Sequence, residues 1–260
     1  MPSLRSTTVT SPLPNSCLLT LPSSNPCKLP LLSVLTVISA PHLPGTQNQN
    51  TLSNQQLPGS SSVNTQFSVL SSSLRLDVTL SFPSTSPPPV YPSSSVHRPP
   101  PPSSYVPHIQ SHLLSSLAPA FPNPHYPAAS TMSVSVTVLT PATADSIYPL
   151  PHILNSLTYA LLASPYFQST TLSSVALALP TSSSPLILDP TLSEASASST
   201  LTLTLTSSGS IVHSHLAASS GSEKRTMEEI AAAAEKVRKR VAPVLTEKAR
   251  GFISEVLGAE

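Results

Sequence analysis

Along much of the chain, apolar residues alternate with residues bearing hydroxyls. Leu74-Arg75-Leu76-Asp77-Val78-Thr79-Leu80 puts Leu74, Leu76, Val78 and Leu80 on one face, the period of a half-buried strand. Met132 to Val138 repeats the pattern, and Thr200 to Thr206 alternates Leu with Thr without a fault. Leu31 to Ile38 is an apolar, β-branched run ending at Ala40-Pro41, which predicts a buried strand. Leu172 to Leu179 predicts another strand and Leu186 to Leu188 a shorter one. Ser208-Gly209 is a hairpin turn signal, with Ser210 to Leu216 as the returning strand.

Three stretches carry helical spacing instead. His108 to Ala118 sets Ile109, Leu113, Leu114 and Leu117 on one face and stops at Pro119. Ile153 to Leu162, following Pro149 and Pro151 and stopped by Pro165, predicts a buried helix. The last helix opens on Thr226 and Glu229, the spacing of a capping box. Its stripe is Met227, Ile230, Ala234, Val237, Val241, Val244, Phe252, Val256 and Leu257, and Pro243 is expected to kink or split it. The order of elements implies α+β architecture, a sheet with helices packed on one side.

Composition sharpens this picture. The 260 residues include 31 Pro but only 6 Gly and no Trp, and charged residues are 9%, against ~25% in an ordinary soluble domain. Residues 1–28, rich in Pro and Ser, predict a disordered tail. Residues 29–258 then form a single domain with loop insertions at 44–66 and 83–107. Residues 1–222 hold only Arg5, Lys28, Arg75 and Arg98 against Asp77, Asp145, Asp189 and Glu194. The body is thus expected to use Ser and Thr as its surface polar residues, with charge concentrated on the last helix.

The net charge of +1 excludes a globally basic nucleic-acid coat and an acidic solvating chain. Cys17 and Cys27 are too few for a disulfide scaffold and fit a reducing compartment. Prolines interrupt the N-terminal apolar residues, so no signal peptide is read there, and no apolar run is long enough to span a membrane. The chain reads as soluble and intracellular, with no membrane partner. A Ser/Thr/Pro-rich secreted stalk is the other compositional reading, but such stalks lack this apolar periodicity. An interaction protein with only its C-terminal helix ordered is a further alternative.

The segment Leu186-Ile187-Leu188-Asp189-Pro190-Thr191-Leu192-Ser193-Glu194 resembles the Leu-Asp-Pro-Thr-x-x-Glu segment of the RNase PH-like family. Ser133 to Leu139 is similar to that family's strand before its central helix, and Ile153 to Leu161 to the helix itself. The hairpin and long C-terminal helix follow in the expected order. Upstream, Val37 to Pro41, Leu74 to Leu80 and Ile109 to Leu117 are similar to earlier elements. The resemblance implies an α/β (α+β) RNase PH-like fold, with mixed sheets, a central buried helix and a long C-terminal helix.

It further implies a subunit of the eukaryotic RNA exosome, set among other RNase PH-like subunits in a six-membered ring. RNA-binding cap subunits and RNA in the channel would be its other partners. The implied role is 3′-to-5′ RNA processing and degradation, including rRNA processing, in the nucleus and nucleolus and also the cytoplasm.

Active members cut RNA with inorganic phosphate, which calls for cations, backbone N–H groups and carboxylates around the anion. This chain departs from them. Ala195 and Ser196 follow Glu194, where active members carry paired acidic residues. Asp145 precedes Ser146-Ile147-Tyr148-Pro149 instead of a glycine loop, and no arginine lies between Arg98 and Arg225. A non-catalytic ring subunit is therefore expected, with no catalytic residue, cofactor or metal. A phosphate-dependent 3′-to-5′ exoribonuclease is the alternative.

Asp189, Pro190, Thr191 and Glu194 are read as a structural motif, with Asp189 in an Asp-Pro turn. Lys236, Arg238, Lys239 and Arg240 form a candidate RNA contact, although Glu235 and Glu247 interleave them. His213 and His215 share one strand face, a spacing that metal ligands can use, but no carboxylate or Cys cluster accompanies them. Arg98 to Pro102 could form a polyproline helix; a solvated loop is the plainer reading. No Gly-x-Ser-x-Gly elbow supports a serine hydrolase.

Overall fold

The computed structural model describes residues 7–13, 15–23, 30–40, 62–70, 74–83, 102–117, 130–140, 145–164, 171–180, 186–217 and 227–257. In chain order the elements are β1 (Thr8–Thr10), β2 (Ser16–Leu21), β3 (Leu32–Ile38), β4 (Ser62–Leu70) and β5 (Leu74–Pro83). A 3-10 turn (Pro102–Tyr105), α1 (Val106–Leu117), β6 (Ser130–Val138) and α2 (Leu150–Leu162) follow. The chain continues with β7 (Leu172–Leu179), β8 (Ile187–Leu188), α3 (Leu192–Ala197), β9 (Ser199–Thr206), β10 (Ile211–Ala217) and α4 (Met227–Leu257).

The strands form two sheets, ordered β1-β2-β3-β6-β5-β4 and β10-β9-β7-β8. The pair β5 and β6 is parallel, with Val78 opposite Val134; α1 supplies the crossover that a parallel pair requires. Helix α2 lies between the sheets and packs on β2 and β3 of one and β7 and β9 of the other. The expectation of one sheet with helices on one side is corrected accordingly. A reading in which only the C-terminal helix is ordered also fails against these two sheets.

Every residue of α2 from Leu150 to Leu161 is buried, which suits a helix without a charged residue. Its polar side chains are tied down, as burial demands. Ser156 Oγ lies 2.8 Å from Thr36 Oγ1 of β3. Thr158 Oγ1 lies 2.9 Å from His112 Nε2 of α1. Asn155 bonds the backbone of Ser174 in β7 twice, at 2.6 and 2.8 Å.

Strand β7 is buried on both faces. Val175, Leu177 and Leu179 join a cluster with Leu201, Leu203, Ala233, Ala234, Val237 and Val241 beneath α4. Ala176 belongs to the main core around α2. The small side chains of Ser174 and Ala176 thus let α2 approach, while the large ones fill the space under α4. Thr200, Thr202 and Thr204 of β9 are buried as well, and Thr204 Oγ1 meets Ser174 Oγ at 2.8 Å. Hydroxyls expected at the surface, such as those of Ser174 and Thr204, are therefore paired in the interior.

Three further expectations change. The segment 1–28, read as a disordered tail, contains β1 and β2. Cys17, Leu19 and Leu21 alternate into the core, and Pro12 and Pro22 flank the strand instead of interrupting it. The insertion expected at 44–66 ends earlier, because β4 begins at Ser62 and pairs along β5. That expected at 83–107 also ends earlier, with the 3-10 turn at Pro102 and α1 from Val106; residues 84–101 lie outside the described residues.

Helix α4 is a single 31-residue helix with Pro243 inside it. The apolar stripe shifts across the proline: Val244 is exposed, whereas Ala249 and Phe252 are buried. Phe252 packs edge-on to Tyr159 of α2, with ring centroids 5.0 Å apart. Thr226, the expected cap, lies outside the described residues, as do the side chains of Met227, Val256 and Leu257. No described helix is long and apolar enough to cross a membrane.

Candidate functional site

The segments holding Asp145 and Asp189, distant in sequence, are stitched side by side. Ile147 bridges Thr191 in antiparallel fashion. Tyr148 N–H donates to Pro190 O at 2.9 Å, and Leu192 N–H to Ser146 O at 2.7 Å. Asp145 is exposed, whereas Asp189 is buried.

Asp189 adopts φ +49°, a left-handed conformation that Asp tolerates better than most residues. This turn directs its N–H to Ala176 O of β7 at 3.0 Å. Its carboxylate Oδ1 stands 3.7 Å from Nε2 of buried His152, beyond ordinary hydrogen-bond reach.

Thr191 and Glu194 form a capping box on α3. Thr191 N–H donates to Glu194 Oε2 at 2.8 Å, and Glu194 N–H donates to Thr191 Oγ1 at 3.2 Å. The Glu194 carboxylate is thereby committed to a helix start. Helix α3 and its capping box were not expected from the sequence.

Lys248 of α4 feels the negative charge of Asp189, which opposes the lowering of its ammonium pKa by burial. Its Nζ donates to Thr7 Oγ1 at 3.0 Å. His152 and Lys248 are the groups near Asp189 that sequence reading missed. Both arrive on helices far from residue 189, and neither sits in a recognisable motif. The ion pairs of Arg75 and Arg238 go instead to Asp77 and Glu235.

The basic cluster on α4 divides in two. Arg238 grips Glu235 through Nε and Nη2, each at 2.7 Å, and donates from Nη1 to Gly209 O at 3.3 Å. Gly209 sits at φ +80° in the β9–β10 turn, a conformation few other residues adopt. Arg238 therefore fastens the hairpin to α4. Lys239 Nζ stands 3.5 Å from the same Glu235 carboxylate. The hydrogen bonds from Arg238, aided by both positive charges, hold the Glu235 carboxyl down at about 2. Lys236 and Arg240 are exposed and one turn apart; Lys239 is exposed as well, but shares its charge with Glu235.

His213 and His215 do share a face of β10, where both meet the ring of His108 from α1. Among the described residues no group of three His, Cys, Asp or Glu side chains could hold a metal ion. The Arg98 to Pro102 segment lies outside the described residues except for Pro102.

No family model and no curated protein matches the chain. Solved structures do. Rice (Oryza sativa) Rrp46 is similar with a TM-score of 0.59 and 13% identity, over 98% of this chain and 96% of that one. A chain of the Archaeoglobus fulgidus exosome with RNA bound to the active site follows at TM-score 0.56 and 13% identity, over 95% of this chain and 88% of that one. A chain of an archaeal exosome core is similar at TM-score 0.52 and 12% identity, over 98% and 87%. The chain has the RNase PH-like fold, with its two sheets around a buried helix.

Proposed function

We propose that this chain is a non-catalytic structural subunit of an RNA exosome ring, supporting 3′-to-5′ RNA processing and degradation, rRNA processing included. The observation that carries this reading is the overlap with rice Rrp46 along nearly the whole of both chains. Two other similar structures are exosome assemblies, one with RNA bound to its active site. In this reading the chain sits among related subunits in a six-membered ring, contacts cap subunits, and works in the nucleus, the nucleolus and the cytoplasm. Closure of the ring would cover sheet edges that otherwise invite aggregation.

The absence of catalysis is argued from chemistry. Phosphorolysis needs a concentrated positive site for inorganic phosphate. Here Asp189 is buried beside His152, and Glu194 caps a helix. Ala195 and Ser196 stand where a further carboxylate pair would act. The solvent-facing Lys236 and Arg240 are proposed to meet RNA phosphates by charge alone.

The test is to incubate the purified chain with labelled RNA and inorganic phosphate and to look for nucleoside diphosphates. The proposal expects none above a no-protein control. Phosphate-dependent release by the chain alone would establish the enzyme reading in its place.

A further inference from the structure

Five of the chain's eight histidines lie among the described residues, and four of these gather where α1 crosses β10. His108 and His112 are one turn apart on α1, and His213 and His215 are two apart on β10. A register shift in the β9–β10 ladder falls between Ile211 and His213, just before this pair.

The rings are in direct contact. His108 Nδ1 lies 3.4 Å from His213 Nε2. The His108 and His215 ring centroids are 3.9 Å apart, tilted by 41°. Behind them His112 is buried, with Nε2 on Thr158 and with Nδ1 lacking a hydrogen-bond partner. A bond between two imidazole nitrogens requires one to donate and one to accept, so at least one ring must be neutral.

Among the described residues, the elements chiefly packed on this seam supply no compensating charge. Helix α1 packs against the 3-10 turn, β4, β10 and α2, and β10 packs also on β9. None of these elements contains an Asp, Glu, Lys or Arg. Their other titratable groups are Tyr105 in the turn and His152 and Tyr159 in α2. Burial raises the phenol pKa values of both tyrosines, so both stay neutral in acid. Burial also lowers the histidines, His108 to about 4 and His112 to about 3, with His213 and His215 lowered as well; neighbouring rings add repulsion at His108, His112 and His215.

We propose that the α1–β10 seam is a proton-operated latch, closed by neutral imidazoles and released when His108, His213 and His215 take up protons. The consequence is local, because α1 packs against β4 and β10, each the edge strand of its sheet. Acid would loosen the helix that spans both edges.

The sign follows from linkage. The histidine pKa values are lower closed than open, so the open state binds more protons below about pH 6.5. Closure is complete above that pH and is lost progressively as the pH falls toward the closed-state value, about 4 for His108. One such histidine favours opening by up to ~30-fold at pH 5; partial exposure of these rings trims the expected effect to about tenfold.

Hydrogen exchange of the full chain at pH 7.5 and pH 5, corrected for intrinsic rates, tests this. Residues 106–117 and 211–217 should lose about tenfold in protection at pH 5 relative to β7 and α2. The triple variant His108→Gln, His213→Gln, His215→Gln should lose less protection than the native chain does. A seam-to-core ratio unchanged by pH in the native chain, or a variant that responds as the native chain does, would overturn the latch. NMR titration of the native imidazoles covers the case in which the variant does not fold. Midpoints below 6.5 for His108, His213 and His215 support the latch, and midpoints at or above 6.5 refute it.

Discussion

Asn155 of α2 and Ser174 of β7 exchange two hydrogen bonds, the side-chain amide of one with the backbone of the other. Ser174 N–H donates to Asn155 Oδ1 at 2.6 Å, and Asn155 Nδ2 donates to Ser174 O at 2.8 Å. β8 pairs with β7 only at Leu177 and Ala178. Asn155 thus takes the place of a neighbouring strand where, among the described residues, the sheet has none, and couples the central helix to the smaller sheet.

Replacing Asn155 with Leu should therefore destabilise the chain by about 2–3 kcal/mol, because a buried N–H and C=O lose their partners. Asn155→Asp should cost more, since a carboxylate oxygen would then face the Ser174 carbonyl in a buried site. Urea unfolding midpoints measure both. Equal stability of the native chain and Asn155→Leu would contradict the bracing role.

Cys17 offers a chemical reading of the same core. Burial pushes its thiol up to about 12, against a hydrogen bond with Ser156 that acts the other way. At pH 8 only about one thiol in ten thousand is then ionised. Iodoacetamide should leave Cys17 unmodified in the folded chain and label it in urea, as read by peptide mass. This thiol also favours unfolding as pH rises past about 9, because the unfolded thiol ionises first.

The α3 capping box predicts that Thr191→Ala costs about 1 kcal/mol of stability. Glu194→Gln should cost less, since the amide oxygen can still accept from Thr191 N–H. Thermal unfolding of the two variants measures this order. If Glu194→Gln is the more damaging, the carboxylate does something beyond capping.

How much of this was legible in the chain depends on where each signal lies. Strand β6 and helix α2 were readable because their apolar periods are local and strong. β2 was hidden by the prolines around it, and β4 by the polar residues Asn64, Gln66 and Ser68 on its outer face. The destination of the hydroxyls could not be read locally. Thr36 and Ser156 satisfy each other across 120 residues of sequence, and a period-2 pattern does not tell a solvent-facing Thr from one pressed against a helix. At the candidate site, Asp189, Thr191 and Glu194 stood out through their spacing. His152 and Lys248 did not, since folding alone brings them near Asp189.

Division of the α4 cations predicts unequal effects on RNA. Lys236→Glu with Arg240→Glu should weaken single-stranded RNA retention and reduce its log-log salt slope by about 1.4. Arg238→Gln should instead loosen the β9–β10 hairpin, seen as faster hydrogen exchange in residues 206–211. Filter binding at several salt concentrations measures the first effect. An unchanged slope would remove Lys236 and Arg240 from the RNA path.

The central claim is that this chain holds neighbours in place. Its most direct test is the mass of the native assembly recovered with the full-length chain from its own cells under gentle salt. The account predicts a complex in which the chain occurs once among six RNase PH-like subunits, with cap subunits attached. Recovery as a monomer, free of any RNase PH-like chain, would contradict it.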